Sequence, residues 1–95
     1  MIVITGGQGT LARALCAFFE SACHQVIAPG RDTLDVHNQA SVEAFFQQIP
    51  DPIDLLINQA AIVKDGPLLR MSEADWDDVV DTNLKGAWLT ARAFL

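Results

Sequence analysis

The chain has 95 residues, a formal net charge of -6 and an apolar fraction of 51%, which bound it to one globular domain with a small core and exclude a disordered chain. The acidic balance disfavours nucleic acid or an anionic membrane as partner, and no stretch approaches the ~20 consecutive apolar residues that span a bilayer. The amino terminus enters a strand without the charged and apolar regions of a signal peptide, so a cytoplasmic location is expected.

Met1 to Ile4 read as a buried strand, followed by the turn TGGQGT. Leu11, Leu15, Phe18, Phe19 and Ala22 then recur on one helical face and predict a helix from Thr10 to Ala22. The glycines therefore sit on a strand-to-helix turn. The first N–H groups of a helix lack intrahelical partners and the peptide dipoles place partial positive charge there, so such a turn suits a diphosphate. A second strand, within HQVIAPGR, ends after Ala28 at the Pro29-Gly30 pair, and TLDV reads as a third, short strand. In SVEAFFQQI, Val42, Phe45, Phe46 and Ile49 share a helical face, with Ser41 as N-cap and Pro50 near the end. IDLLINQAA supplies a fourth, buried strand bounded by Pro52. The last segment, SEADWDDVVDTNLKGAWLTARAFL, opens on Ser72 with Asp75 in capping register and reads as helix to Leu95.

The order β-α-β-β-α-β-α predicts an α/β fold: a Rossmann-like parallel sheet in spatial order 3-2-1-4 with right-handed crossovers and helices on both faces. Ligands of such sheets bind beyond the carboxyl ends of the strands at the switch point, here between the first and fourth strands. The glycine turn and NQAA both fall there. Cys16 and Cys23 lie about two helical turns apart, too far to bridge, and read as reduced thiols. No metal-binding spacing is present, and His24 and His37 have no partnered motif. Asp75, Asp77, Asp78 and Asp81 read as a solvated helical face, and Trp76, Val79, Val80 and Trp88 as core or interface side chains.

TGGQGTLA, LDV, NQAA and DTNLKG, in that order, resemble the short-chain dehydrogenase/reductase family. The resemblance runs along the whole chain but covers only the first part of such an enzyme, so residues 1–95 are expected to be the dinucleotide-binding portion of a domain truncated at its carboxy terminus. Gly6, Gly9 and Ala12 fit the TGxxGxxG spacing of the extended sugar-nucleotide branch, whereas DGPLLRMSEADWDDVVDTNLKG looks like the compact reductase branch. The resemblance implies that Gly6 and Gly9 line the diphosphate, with Thr10 opening the helix beside them and Leu11 in its first turn. It further implies that Asp35 accepts from the adenine amino group, that Val36 gives a backbone contact, and that Asn58, Ala60 and Ala61 pass close to the nicotinamide ribose. That last segment departs from the family's NNAG at Gln59 and Ala61. Asn83 matches the asparagine that breaks the helix and holds a water in the family's proton relay, and is the one catalytic position expected in the chain.

Dinucleotide choice is made at the end of the second strand, where a carboxylate accepts from a free ribose hydroxyl and a guanidinium pairs with a 2'-phosphate. Pro29 and Gly30 stand in the acidic place and Arg31 follows, which favours NADP over NAD. The family's chemistry also needs a tyrosine, a lysine and a serine, and this chain contains no tyrosine. The expected function is therefore the NAD(P)-binding portion of an oxidoreductase that moves hydride between NADP(H) and a carbonyl or alcohol substrate. Two alternatives stay open: a non-catalytic dinucleotide-binding or assembly module, and an extended-branch nucleotide-sugar epimerase or dehydratase. The last helix and the outer edge of the fourth strand are expected to meet a missing carboxy-terminal portion or a second copy in a homo-oligomer.

Overall fold

The computed structural model describes all 95 residues. Strand β1 (Ile2–Ile4) is its centre: Val3 and Ile4 are fully buried and Ile2 is nearly so, as a parallel strand covered on both faces requires. Helix α1 (Thr10–Ser21) follows the glycine turn, then strand β2 (Val26–Ile27), helix α2 (Gln39–Gln47) and strand β3 (Leu55–Ile57). A short 3-10 turn (Leu68–Arg70) leads into helix α3 (Glu73–Val80), a π-helical turn (Asp81–Lys85) and helix α4 (Gly86–Phe94). The sheet is parallel in the order β2-β1-β3, with Ile2 opposite Val26 and Leu55.

Alternation along β1 sorts the helices onto two faces. Ile2 and Ile4 pack with Ala12, Leu15 and Phe19 of α1 on one side. Val3 packs with Val42 and Phe45 of α2 and Leu89 of α4 on the other. At roughly 1.5–3 kcal/mol for each fully buried aliphatic side chain, the three β1 residues hold the layers together from the middle of the sheet. Ala12 is 1% exposed, so alanine in place of a third glycine does permit the close helix-to-strand contact. No helix is long and apolar enough to cross a membrane.

The helices-on-both-faces architecture follows the sequence pattern, with three local differences. TLDV is not a strand. Thr33 and Leu34 both donate to the Gly30 carbonyl, at 3.1 and 2.9 Å, and Asn38 donates to Asp35 O, so the segment spends its donors on successive turns instead of a ladder. The sheet accordingly has three strands, the expected order without its outermost member. Leu34 and Val36 are still buried, which explains the strand-like alternation. The second difference is the cap of α2: the Asn38 side chain accepts from Ser41 N, while the Ser41 hydroxyl accepts from Asp35 N at 3.0 Å. The third is the last segment, which does not run as one helix to Leu95: a π turn interrupts it at Asn83, the position where the family resemblance implies a break. Ser72 does cap α3, accepting from Asp75 N at 3.0 Å. Both cysteines are free.

Helix α4 approaches the 33–36 turn through Gly86, where an added Cβ would sit 2.7 Å from Val36 Cγ2 and 3.3 Å from Val36 O. Val36 is only 5% exposed, and its carbonyl as well as its side chain stands in the way. Gly86→Ala is therefore expected to destabilise the fold by about 1 kcal/mol, because overpacking of roughly 1–3 kcal/mol outweighs the ~1 kcal/mol gain in helix propensity. Denaturant unfolding checks this, and an unchanged or raised midpoint would contradict it.

Candidate functional site

The turn after β1 and the loop after β3 are brought into backbone contact beyond the carboxyl ends of the strands. Thr5, fully buried, donates its N–H to Ile57 O and accepts at Oγ1 from Gln59 N (3.0 Å) and Ala60 N (3.1 Å). Gly6 adopts φ +66°, and a Cβ there would lie 2.9 Å from Ala60 Cα, so only glycine satisfies both the left-handed conformation and the approach. Gly7 meets the other side: its N–H donates to Pro29 O and a Cβ would fall 2.0 Å from Ala28 O. The turn is thus wedged between β2 and β3.

Beyond it opens a cleft of about 240 Å³. Gly6, Gly9, Arg31, Asp35, Val36, Ala60 and Ala61, all expected from the sequence, line it. A second groove of about 280 Å³ shares Val36, Ala60 and Ala61 with it and adds Asn58 and Asn83. Thr10 and Leu11 occupy the first turn of α1 and line neither. Sequence reasoning did not single out Gln8, His37, Gln59, Ile62 and Thr82, which also line the first cleft. Gln8, Gln59 and Thr82 fall inside the quoted motifs TGGQGT, NQAA and DTNLKG, which was the sequence signal for them.

The amino terminus of α1 opens here with Gly9 as N-cap and no side-chain cap. The Gly9 N–H is spent on Gly6 O, so the first N–H groups of α1 itself are the donors left for an anion. Arg31 lines the cleft with no ion-pair or hydrogen-bond partner in the protein. Asp35 has its backbone N–H held by Ser41 Oγ and its Oδ1 3.2 Å from His37 Nε2. The Asn83 carboxamide closes a reciprocal pair with the Ile62 backbone, accepting from Ile62 N and donating to Ile62 O, both at 2.9 Å. Asn83 therefore ties the π turn to the loop after β3 through both of its amide groups. Lys64, farther along that loop, bridges Asp78 at 2.7 Å and Asp75 at 3.4 Å. Hydrogen bonding to Asp78 and then Asp75 raises the Lys64 pKa, and the same bond from Lys64 lowers that of Asp78. Two members of the acidic face thus anchor the loop.

The residues fit a dinucleotide. A Cβ at Gly6 or Gly7 would collide with the backbone of Ala60 or Ala28, so the two glycines hold the turn that borders the cleft; the terminus of α1 is uncapped, and Arg31, which has no ion pair, lines the same cleft. The sequence profile of the family described as short chain dehydrogenase matches residues 32–95. The dehydrogenase subunit BbsD of Thauera aromatica is 34% identical, over 97% of this chain and 37% of its own length. The 3-oxoacyl-acyl-carrier-protein reductase FabG of Staphylococcus aureus is 36% identical over 73% of this chain and 31% of its own length. The closed form of serine dehydrogenase, complexed with NADP+, superposes with a TM-score of 0.89 at 30% identity, covering 100% of this chain and 48% of that one. The chain spans about a third of the length of these curated relatives and about half of that structure.

Replacing Thr5 by valine keeps the shape and removes the acceptor shared by Gln59 N and Ala60 N. Thr5→Val is expected to cost about 2 kcal/mol of stability, since partly buried N–H groups left unpaired cost roughly 1–3 kcal/mol each. Amide exchange at Gln59 and Ala60 should accelerate selectively; uniform exchange rates across the chain would refute the assigned role.

Proposed function

We propose a nicotinamide-dinucleotide-binding role for this chain, which belongs to the short-chain dehydrogenase/reductase family, with NADP favoured over NAD. The observation that carries this reading is the backbone contact between Gly6 and Ala60, which leaves the uncapped terminus of α1 open to a diphosphate at the switch point of the sheet. Gly6 and Gly9, with Thr10 and Leu11 behind them, hold the diphosphate. Asp35 and Val36 take the adenine side, and Asn58, Ala60 and Ala61 the nicotinamide ribose. When bound, the dinucleotide gives or accepts the hydride exchanged with a carbonyl or alcohol substrate. The chain's own residues bind and orient it.

Support for NADP comes from Arg31. It stands unpaired in the cleft, and Ala28, Pro29 and Gly30 at the end of β2 provide no carboxylate for a ribose hydroxyl. The structural neighbour bound to NADP+ is consistent with this choice. Asn83 bonds the Ile62 backbone through both the oxygen and the NH2 of its carboxamide, and in this reading its part in a proton relay is to hold the π turn and the loop in register. A π turn shifts the helical hydrogen-bond register and leaves a carbonyl without its usual donor, which suits it to hold a water. The tyrosine that completes the family's reaction has no counterpart in this chain, so hydride transfer is a property of a longer protein or an assembly.

A partner is also part of this reading. Only 14 of 95 residues are buried, while Trp76, Leu84, Trp88 and Leu95 along α3 and α4 are each more than half exposed. This apolar stripe and the free edge of β3 suit a carboxy-terminal portion of a longer protein or a second copy. Sedimentation of the chain alone is expected to give self-association that Trp88→Lys weakens; a monomer at all concentrations would count against the second copy.

Titration with NADPH and NADH, followed by nicotinamide fluorescence, tests the binding role. Arg31→Ala is expected to weaken NADPH about tenfold, the order of one charge-assisted hydrogen bond, and to leave NADH unchanged. Absence of binding by either nucleotide to the folded chain would overturn the assignment.

A further inference from the structure

The hydroxyl of Thr90 is fully buried in the middle of α4, and a side chain of this type in a helix ordinarily returns its proton to the carbonyl one turn back. Here the Gly86 and Ala87 carbonyls lie at 3.0 and 3.1 Å, but the nearest acceptor is Asn58 Oδ1 at 2.7 Å, which comes from the loop after β3. Asn58 lines the groove beside the glycine turn and is exposed there. A carboxamide has one acceptor oxygen and one donor nitrogen, so fixing the oxygen fixes the nitrogen. Asn58 Nδ2 has no partner within the protein.

The loop carrying Asn58 is already pinned along its backbone, at Gln59 and Ala60 by Thr5 and at Ile62 by Asn83. Neither of those contacts sets the Asn58 side chain. We propose that Thr90 is a positioning residue: it turns the Asn58 carboxamide oxygen toward α4, so that the NH2 group is presented to the groove as a donor for an acceptor oxygen on the nicotinamide half of the dinucleotide. This rests on the binding role proposed above. It adds to that role a requirement on a residue that does not itself line the groove.

Thr90→Val removes the hydroxyl and keeps the shape; Thr90→Ser keeps the hydroxyl. In the full chain, Thr90→Val is expected to weaken NADP+ binding about tenfold, as loss of one oriented hydrogen bond does, while ADP, which carries no nicotinamide half, binds with unchanged affinity. Thr90→Ser should restore NADP+ binding to within about twofold. Parallel losses for NADP+ and ADP, or a valine variant that binds NADP+ normally, would overturn the proposal. The Asn58 side-chain amide resonances give a ligand-independent reading, with those of Asn83 as internal reference. They should shift in Thr90→Val and return in Thr90→Ser; if they stay in place, the proposal fails. If the unmodified chain binds no dinucleotide, the binding role falls and these resonances still decide whether Thr90 orients Asn58.

Discussion

The molecule is organised around one close approach: the backbone of Gly6 against the backbone of Ala60, with the Thr5 hydroxyl bonded to the two amides that flank it. Strands β1 and β3 are neighbours in register from Ile2 to Ile4, so their exits meet at the same height. A side chain at position 6 would separate them. With glycine there, the turn folds back into α1 and the loop after β3 passes beneath it, which leaves both the helix terminus and the two grooves open beyond the sheet.

The rest of the chain secures that mouth through side chains from distant elements. Thr90 of α4 reaches Asn58, Asn83 of the π turn reaches Ile62, and Lys64 reaches back to Asp75 and Asp78 of α3. The π turn has an identifiable cause in this scheme. Asn83 satisfies the Ile62 backbone with both halves of its amide, a pairing that fixes where the helix must lie relative to the loop. An extra residue in the turn lets α4 keep its packing against α2. The burial is uneven. Strand β1 is buried throughout and β2 and β3 only in part, while Trp76, Leu84 and Trp88 stand more than half exposed along α3, the π turn and α4.

Much of the fold was legible because its signals are local. The run Ile2–Ile4, the helical spacing from Leu11 to Phe19 and the apolar run before Asn58 each predict their element. The misreadings share a physical origin. Leu34 and Val36 alternate as strand residues do, yet the backbone donors of their segment turn back to Gly30, and the alternation reports burial only. Ser41 has the chemistry of a helix cap, but Asn38 is three residues earlier and reaches the free N–H first, which leaves the serine hydroxyl for Asp35.

The candidate site divides in the same way. By itself the sequence determined the class of fold and the glycine turn at the start of α1, and it pointed to Arg31, Asp35, Asn58 and Asn83, which the fold brings to the two grooves, because residue type, spacing and order along the chain carry that information. Only the tertiary structure decided that Gly7 is pressed against Ala28, that His37 stands beside Asp35, that Asn83 bonds the Ile62 backbone, and that the Thr90 hydroxyl donates to Asn58 Oδ1. Each of those depends on atoms from elements whose separation is set by packing. No local pattern encodes a distance between a helix and a loop that meet only once the core between them has formed.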